Sequence, residues 1–289
     1  MRCPGPLVRG GPITPELTGR AAADDGPIHM RSHPHPLFAP ADALAQRAAA
    51  LIESMQDEAL DVSRKQHLDV VTTADLASER LILDGLRALT PDASIFSEEA
   101  GGSIGERGWI VDPLDGTVNY ASGLPWFSVT LAYLEEGKTV FGVAHAPKAG
   151  LIARYSDHGL ATLNDRPVAA SSTQDLSDAV VSVALTSHFS PEEIERTIGI
   201  IRRLAECTRG VRIVVSGGIE VALVAAGQLD GFVSLKADAV SHAGTMPLAR
   251  AAGALVTNVA GLPSTNEHLE KIAANPALHP KLLEVIRRG

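Results

Sequence analysis

The amino-acid sequence predicts a mixed α/β fold, built as one large domain or two closely packed halves. The chain has 289 residues, of which 45% are hydrophobic and 20% charged, and this is the composition of an ordinary globular protein. Apolar residues recur at helical spacing over residues 44–59 and 81–89, and short β-branched or apolar runs follow these segments. We expect an α+β half over residues 40–165 and an α/β half over residues 166–289.

In the first half, the pattern predicts two helices packed against an antiparallel or mixed sheet. The first helix covers residues 40–59. An extended piece at residues 69–74 follows, and Asp75 is expected to cap the second helix, which stops at Pro91. Strands are predicted at residues 94–97, 109–111, 126–134 and 139–147.

In the second half, strands and helices are expected to alternate. Ser190 followed by Pro191 predicts a helix start, because a hydroxyl at the N-cap and proline at the first position favour one. Ser216 is expected to cap an Ala-rich helix, and two further helices separated by Pro276 and Pro280 are expected to close the chain. Strands are predicted at residues 179–185, 212–215 and 230–235.

Charge and composition exclude several classes of partner. With 25 Lys and Arg against 34 Asp and Glu, the net charge is −9, so a nucleic-acid or membrane partner is not expected. Residues 1–39 are rich in Pro, Gly and Arg and predict a flexible extension without the apolar core of a secretory signal. The two cysteines, Cys3 and Cys207, are far apart, which favours a reducing, cytoplasmic location.

The segment after the predicted strand at residues 109–111 carries two carboxylates, Asp112 and Asp115. Pro113 stiffens the turn between them, and Gly116 allows the backbone to approach a ligand. Oxygen ligands that converge at a strand end suit a hard cation such as Mg²⁺. The alternative is an acidic surface turn, because Asp-Pro-x-Asp-Gly on its own is common in turns.

Two other acidic segments favour the functional interpretation: Asp75 closes a Thr-Thr-Ala-Asp segment, and Glu98 and Glu99 follow a short strand. With its three acidic segments in this order, the chain resembles the inositol monophosphatase family. Members of that family show Asp-x-Val-Thr-x-x-Asp, then Glu-Glu, then Trp-x-Val-Asp-Pro-x-Asp-Gly-Thr-x-Asn. The resemblance runs from about residue 41 to the end, and residues 212–230 are similar to its Arg-x-x-Gly-Ser-Ala segment. It implies a layered α-β-α-β-α sandwich with the site between the halves, and a homodimer.

The resemblance also implies roles for individual residues. The implied metal ligands are Glu98, Asp112, the Leu114 carbonyl, Asp115 and Ser241. The implied catalytic residues are Asp75, Glu98 and Thr117. The implied substrate-binding residues are Asp112, Gly116, Thr117, Ser216, Gly217 and Ser234. In this scheme Asp112 bridges two Mg²⁺ ions, Thr117 and Asp75 position the attacking water, and the amides of Gly116 and Thr117 bind phosphate oxygens.

The sequence departs from the family pattern in its second half. The family carries a late Trp-Asp whose acid binds the second metal, but that acid position falls here on Ser241, a neutral and weaker ligand. Asp238 and His242 are the nearby alternatives. Ser234 stands where inositol-specific relatives place a glutamate, and Val215 replaces a glycine.

These features predict a Mg²⁺-dependent phosphomonoesterase that acts on a small sugar, polyol or inositol-like phosphate through attack by metal-activated water. Two alternatives stay open. One is a non-hydrolytic phosphate-binding protein, because the loss of a ligand acid is typical of a decayed catalyst. The other is an enzyme that uses phosphate as the leaving group in an elimination or cyclisation.

Overall fold

A computed structural model describes residues 35–56, 62–64, 70–265 and 269–288. Nearly all of the predicted N-terminal extension therefore lies outside the described residues. The described part of the chain contains eight α-helices, two large β-sheets and one small sheet of two antiparallel strands, β1 and β2. None of these helices has the length and apolar character needed to cross a bilayer.

The first sheet has eight strands. The chain begins with α1 (Phe38–Gln56), β1 (Val62–Arg64), β2 (Val70–Thr72) and α2 (Thr73–Leu89). It continues with β3 (Ser94–Ser97), β4 (Gly101–Gly102), β5 (Arg107–Asp115), α3 (Thr117–Ala121), β6 (Ser128–Glu135), β7 (Lys138–Ala146), β8 (Leu151–Ser156), β9 (Leu160–Leu163) and β10 (Arg166–Pro167). The strand order is β10-β9-β8-β7-β6-β5-β3-β4, and only β3 and β5 pair in parallel. The predicted mixed sheet is confirmed.

The second sheet has five strands in the order β12-β11-β13-β15-β14. This part of the chain contains, in order, the strands of the second sheet and the helices between and after them: β11 (Val180–Val183), α4 (Pro191–Cys207), β12 (Gly210–Arg212), α5 (Gly217–Ala225), β13 (Gly231–Ser234), α6 (Ala239–His242), α7 (Met246–Ala251), β14 (Leu255–Thr257), β15 (Lys271–Ala274) and α8 (His279–Arg287). Ser190 caps α4 as predicted, and its hydroxyl accepts a hydrogen bond from the amide of Glu193 at 3.2 Å.

Helices and sheets alternate in five layers. Helices α1 and α2 cover one face of the first sheet, α5, α6 and α7 lie between the two sheets, and α4 and α8 cover the outer face of the second sheet. This arrangement confirms the predicted α-β-α-β-α sandwich.

Three local predictions are wrong. The cap of α2 is Thr72, whose hydroxyl accepts from the amide of Asp75, because the extended backbone ends at Thr72 and Asp75 already lies in the first helical turn. The strand predicted at residues 212–215 ends at Arg212, because Val215 has a φ of 60°, which no strand residue adopts. A single helix closes the chain, because residues 271–274 pair as a strand with both β13 and β14.

Asp42 joins α1 to the first sheet. Its Oδ1 lies 2.7 Å from Nε2 of His145 on β7, and its Oδ2 accepts from Nε of Arg154 on β8 at 2.9 Å. Burial alone would raise the pKa of Asp42, but the hydrogen bonds and charges of His145 and Arg154 outweigh burial and hold this pKa below its usual value. The ionised carboxylate therefore stabilises the fold.

Asp42→Ala is expected to lower the free energy of unfolding by about 2 kcal/mol at neutral pH, because it leaves the Arg154 guanidinium and the buried His145 ring without their acceptor. The folded protein binds fewer protons than the unfolded chain at Asp42. This contribution is therefore complete above the ordinary carboxyl pKa and is lost as the pH falls through the folded pKa. Urea denaturation at neutral pH and at about pH 3 measures both effects.

The control is Asp165→Asn, which removes the charge of the other carboxylate bonded to Arg154; this side chain is 85% exposed, and asparagine suits its left-handed backbone, with a φ of 60°. It should change the free energy of unfolding by less than about 0.5 kcal/mol. Equal losses in the two variants would contradict the role given to Asp42.

Candidate active site

Asp75 in the first turn of α2 faces Thr117 at the start of α3. The Thr117 hydroxyl lies 3.0 Å from Oδ1 of Asp75 and 3.0 Å from the carbonyl oxygen of Leu114. The amide of Thr72 donates to the other carboxylate oxygen of Asp75 at 2.8 Å. The structure thus brings together, in a fixed orientation, the two residues predicted to position water.

Two further residues on the buried face of α2 support the site, and the sequence analysis missed both. Ser78 donates to the carbonyl oxygen of Pro113 at 2.7 Å. Glu79 accepts from the Ser97 hydroxyl at 2.5 Å and from the amide of Ala100 at 2.8 Å. The signal for them was their spacing, because residues three and four positions after Asp75 share its helix face. They fix the turns that carry the acidic motifs.

Three carboxylates meet at the ends of different elements. Glu98 follows β3, Asp112 lies in β5, and Asp238 precedes α6, and one carboxylate oxygen of each lies within 4.8 Å of the others. We call these residues the carboxylate cluster. The amide of Glu98 donates to the carbonyl of Val111 at 3.1 Å, and this bond holds the end of β3 beside β5. Asp112 is fully buried, while Glu98 and Asp238 are exposed.

Ser241 lies directly against this cluster. Its hydroxyl is 2.7 Å from Oδ2 of Asp112 and 2.9 Å from Oδ2 of Asp238. The other oxygen of Asp238 accepts from the amide of Val240 at 2.8 Å and caps α6. Of the two alternatives to Ser241, Asp238 belongs to the carboxylate cluster and His242 does not.

The electrostatics of the cluster favour a bound cation. Burial raises the pKa of Asp112 well above its usual value, and the charges of Glu98, Asp115 and Asp238 raise it further, against the hydrogen bond from Ser241. Three carboxylates offer only oxygen donors, which fits a hard ion such as Mg²⁺ better than a thiophilic metal. The donor set of this site therefore fits the predicted metal.

Asp115 does not belong to the carboxylate cluster, and hydrogen bonds hold its carboxylate in place. Its Oδ2 accepts from Ser216 at 2.7 Å, from Ser128 at 3.0 Å and from the amide of Gly218 at 3.0 Å, and its Oδ1 accepts from the amide of Gly217 at 3.1 Å. Burial raises the pKa of Asp115, and these hydrogen bonds oppose that shift. Ser216 and Gly217, predicted to bind substrate, thus bind Asp115 here. The predicted roles of these three residues as ligands stay predictions.

The two other predicted substrate-binding residues are Gly116, in the turn between β5 and α3, and Ser234, on β13. Gly116 has a φ of 86°, and a Cβ on it would lie 2.7 Å from the carbonyl oxygen of Trp126, so this turn requires glycine. Ser234 lies on β13 of the second sheet, paired with Lys271 on β15. Burial lowers the pKa of Lys271 to about 8.

The segment before α5 is strained and is anchored from the first half. Val215 has a φ of 60°, in the left-handed region that β-branched residues rarely adopt. The side-chain amide of Asn119 lies 2.8 Å from the carbonyl oxygen of Val214 and 3.2 Å from that of Val215. Asn119, which follows Thr117 in the acidic motif, therefore joins the two halves next to the site.

Val215→Gly is expected to raise the free energy of unfolding by about 1 kcal/mol, because relief of the left-handed strain exceeds the entropy cost of glycine. Urea denaturation measures the change. Val211→Gly is the control, because Val211 lies in β12 with an ordinary strand backbone, and there glycine should destabilise by about 1 kcal/mol. A loss of stability in both variants would show that Val215 is not strained.

A profile of the inositol monophosphatase family matches residues 33–289. The chain belongs to this family. It is 32% identical over 218 residues to the fructose-1,6-bisphosphatase/inositol-1-monophosphatase of Thermotoga maritima, covering 75% of this chain and 82% of the relative. It is 31% identical over 265 residues to the probable inositol 1-monophosphatase ImpA of Mycobacterium tuberculosis, covering 90% and 97% of the two chains.

Solved structures agree with this membership in the inositol monophosphatase family. An IMPase from Thermotoga maritima superposes with a TM-score of 0.79 at 30% identity, covering 85% of this chain and 94% of its own. The extragenic suppressor protein suhB from Bartonella henselae superposes with a TM-score of 0.83 at 28% identity, covering 88% and 100%. The family supports a metal-dependent phosphatase that acts on phosphate monoesters.

Proposed function

We propose that the protein is a Mg²⁺-dependent phosphomonoesterase for a small sugar, polyol or inositol-like phosphate. The observation that carries the proposal concerns one short turn, from Asp112 to Thr117. Asp112, at the start of the turn, belongs to the carboxylate cluster, and Thr117, at its end, bonds to Asp75. A phosphate held at this turn would face the cation site and the water-positioning pair together. The names of the relatives, which mention inositol and fructose phosphates, support this substrate class.

Glu98, Asp112 and Asp238 would hold the first Mg²⁺, and the Leu114 carbonyl, Asp115 and Ser241 are the further candidate ligands. When bound, the ion supplies positive charge that offsets the dianionic ester and eases its attack by water.

The chain itself orients the nucleophile. The Asp75 carboxylate accepts from the Thr117 hydroxyl or from a water beside it, so the pair can fix a water and take up its proton. The amides of Gly116 and Thr117 are the proposed donors to the phosphate oxygens. No covalent intermediate is needed, since water is the nucleophile.

We include in the proposal a cytoplasmic homodimer without a nucleic-acid or membrane partner. The acidic net charge of −9 supports the absence of these partners, and the family resemblance supports the dimer. Light scattering on the purified protein tests the oligomeric state.

A second candidate is a non-hydrolytic phosphate-binding role, which the replacement of a ligand acid by Ser241 favours. The name of one relative also supports this candidate, because it is not the name of an enzyme: the chain is 29% identical, over 88% of its length, to the Nus factor SuhB of Escherichia coli.

The test is phosphate release from sugar, inositol, polyol and nucleotide phosphates, with Mg²⁺ and with a chelator, in isotopically labelled water. Hydrolysis places the label in the released phosphate. Release without label indicates elimination or cyclisation. Binding of Mg²⁺ and phosphate without any release indicates the second candidate.

A further inference from the structure

Gly142 on β7 lies in direct backbone contact with Gly244, two residues after the end of α6. A Cβ added to Gly142 would lie 2.6 Å from the carbonyl oxygen of Gly244, and a Cβ added to Gly244 would lie 2.9 Å from the carbonyl oxygen of Leu131 on β6. Non-bonded atoms of this kind pack best about 3.5 Å apart, so a side chain at Gly142 would require a shift of about 1 Å. The chain after α6 therefore lies directly against the backbone of the first sheet.

Two further contacts fasten α6 to the same sheet. The Thr139 hydroxyl on β7 donates to the carbonyl oxygen of Ala243 at 3.1 Å. Val240 and Ala243 are buried in one apolar cluster with Ile110 on β5 and with residues of β6. Because α6 has only four residues, its own hydrogen bonds cannot stabilise it, and packing against the sheet decides where it lies.

The position of α6 decides whether the carboxylate cluster can form. Glu98 and Asp112 belong to the first half of the molecule, whereas Asp238, at the start of α6, belongs to the second half. The Ser241 hydroxyl, also on α6, lies within hydrogen-bond distance of both Asp112 and Asp238. Ligands must be held within about 0.5 Å of their working positions. A shift of α6 by about 1 Å, the shift that a side chain at Gly142 requires, would therefore open the cluster.

We propose that Gly142 is a positioning residue for the cation site: its lack of a side chain lets α6 approach the first sheet and bring Asp238 to Asp112. The inference rests on the Mg²⁺ site of the proposed function. Gly142 is paired with Ala132 on β6, which is paired with Ile110 on β5. Two strand spacings, about 10 Å, thus separate Gly142 from the strand that carries Asp112, and it acts through α6 rather than by contact with the ion.

The experiment measures the affinity for Mg²⁺ alone, by calorimetry, on the full-length wild type and on Gly142→Ala. The added methyl group should displace Gly244 and α6, and we expect the dissociation constant for Mg²⁺ to rise at least about tenfold. Thr139→Val is a milder variant, which keeps the side-chain shape and removes the hydrogen bond to Ala243. It should raise the dissociation constant about threefold, and it keeps the test decisive if Gly142→Ala does not fold.

A double variant separates positioning from a general loss of stability. In an Asp238→Asn background, where the ligand carried by α6 is already weakened, Gly142→Ala should change the affinity for Mg²⁺ by less than about twofold, because both changes act on one interaction. The control is Gly231→Ala, whose Cβ would lie 2.7 Å from Cδ1 of Leu282 on α8, on the opposite face of the second sheet from α6. It should lower the urea midpoint and leave the affinity for Mg²⁺ within about twofold of wild type.

The outcomes distinguish this inference from the proposed function. Unchanged Mg²⁺ affinity in Gly142→Ala, or in Thr139→Val if Gly142→Ala does not fold, would overturn the inference alone. An equal loss of affinity with and without Asp238→Asn would do the same. A wild type that binds Mg²⁺ but releases no phosphate would overturn the proposed hydrolysis alone, because the Mg²⁺ affinities still decide the inference. A wild type that binds no Mg²⁺ would overturn both.

Discussion

Asp112→Asn is expected to abolish metal-dependent phosphate release and, at the same time, to stabilise the metal-free protein. Asp112 is the buried member of the carboxylate cluster, and asparagine offers a metal only a neutral oxygen. A bound metal contributes several kcal/mol to such reactions, and each 1.4 kcal/mol corresponds to a factor of ten. The expected loss is therefore about a thousandfold or more, measured as phosphate release at saturating Mg²⁺.

The gain in stability has a separate cause. Burial and the charges of Glu98, Asp115 and Asp238 raise the pKa of Asp112 above its unfolded value. The folded state therefore holds its proton more tightly than the unfolded chain, and stability falls as the pH rises from the unfolded pKa towards the folded one. At neutral pH without metal the ionised carboxylate opposes folding. Asparagine removes that charge, and its oxygen can still accept from the amide of Leu114 while its NH₂ group donates to the Ser241 hydroxyl.

Thermal denaturation with a chelator should show a melting temperature a few degrees above that of wild type. Asp165→Asn is the control, because its exposed side chain bonds to Arg154 away from the site. It should change neither activity nor melting temperature. Activity retained in Asp112→Asn would contradict the site, and a lower melting temperature would contradict the electrostatic argument.

The first half of the molecule was predictable because its signals are local. The helical period of α1 and α2 and the strand run at Ser128–Glu135 each extend over more than one turn or pleat. The Asp75–Thr117 pair joins residues 42 positions apart, and periodicity alone could not have found it. The ordered motifs of a known family supplied that contact.

The second half was less predictable because tertiary pairing decides it. Lys271–Ala274 forms a strand only because β13 and β14 flank it, and it contains a buried lysine that no strand pattern predicts. Val215 takes a backbone conformation that sequence rules assign to glycine. The position of Asp238 beside Asp112 depends on the short α6, so the sequence left its role open.

Asp238→Asn and Asp115→Asn distinguish a carboxylate expected to bind metal from one expected to stabilise the fold. Asp238 belongs to the carboxylate cluster, and it also caps α6 with one oxygen and bonds to Ser241 with the other. Asparagine caps a helix equally well, and its NH₂ group can donate to the Ser241 hydroxyl. We therefore expect Asp238→Asn to weaken Mg²⁺ binding by at least about tenfold, as measured by calorimetry, with little change in urea denaturation.

Asp115→Asn should give the opposite pattern. Four donors converge on its carboxylate, two of them amides at the start of α5. Burial raises the pKa of Asp115, so asparagine relieves the cost of the buried charge, but it also turns an NH₂ group towards some of these four donors. Because the lost hydrogen bonds outweigh that relief, the free energy of unfolding should fall by about 1 kcal/mol, with a smaller effect on Mg²⁺ affinity. A larger loss of affinity in Asp115→Asn than in Asp238→Asn would show that the ligand set implied by the family resemblance holds here, and that Asp238 serves only as a helix cap. The predicted pattern would show instead that Asp238 has taken over the metal site while Asp115 fastens the two halves of the sandwich together.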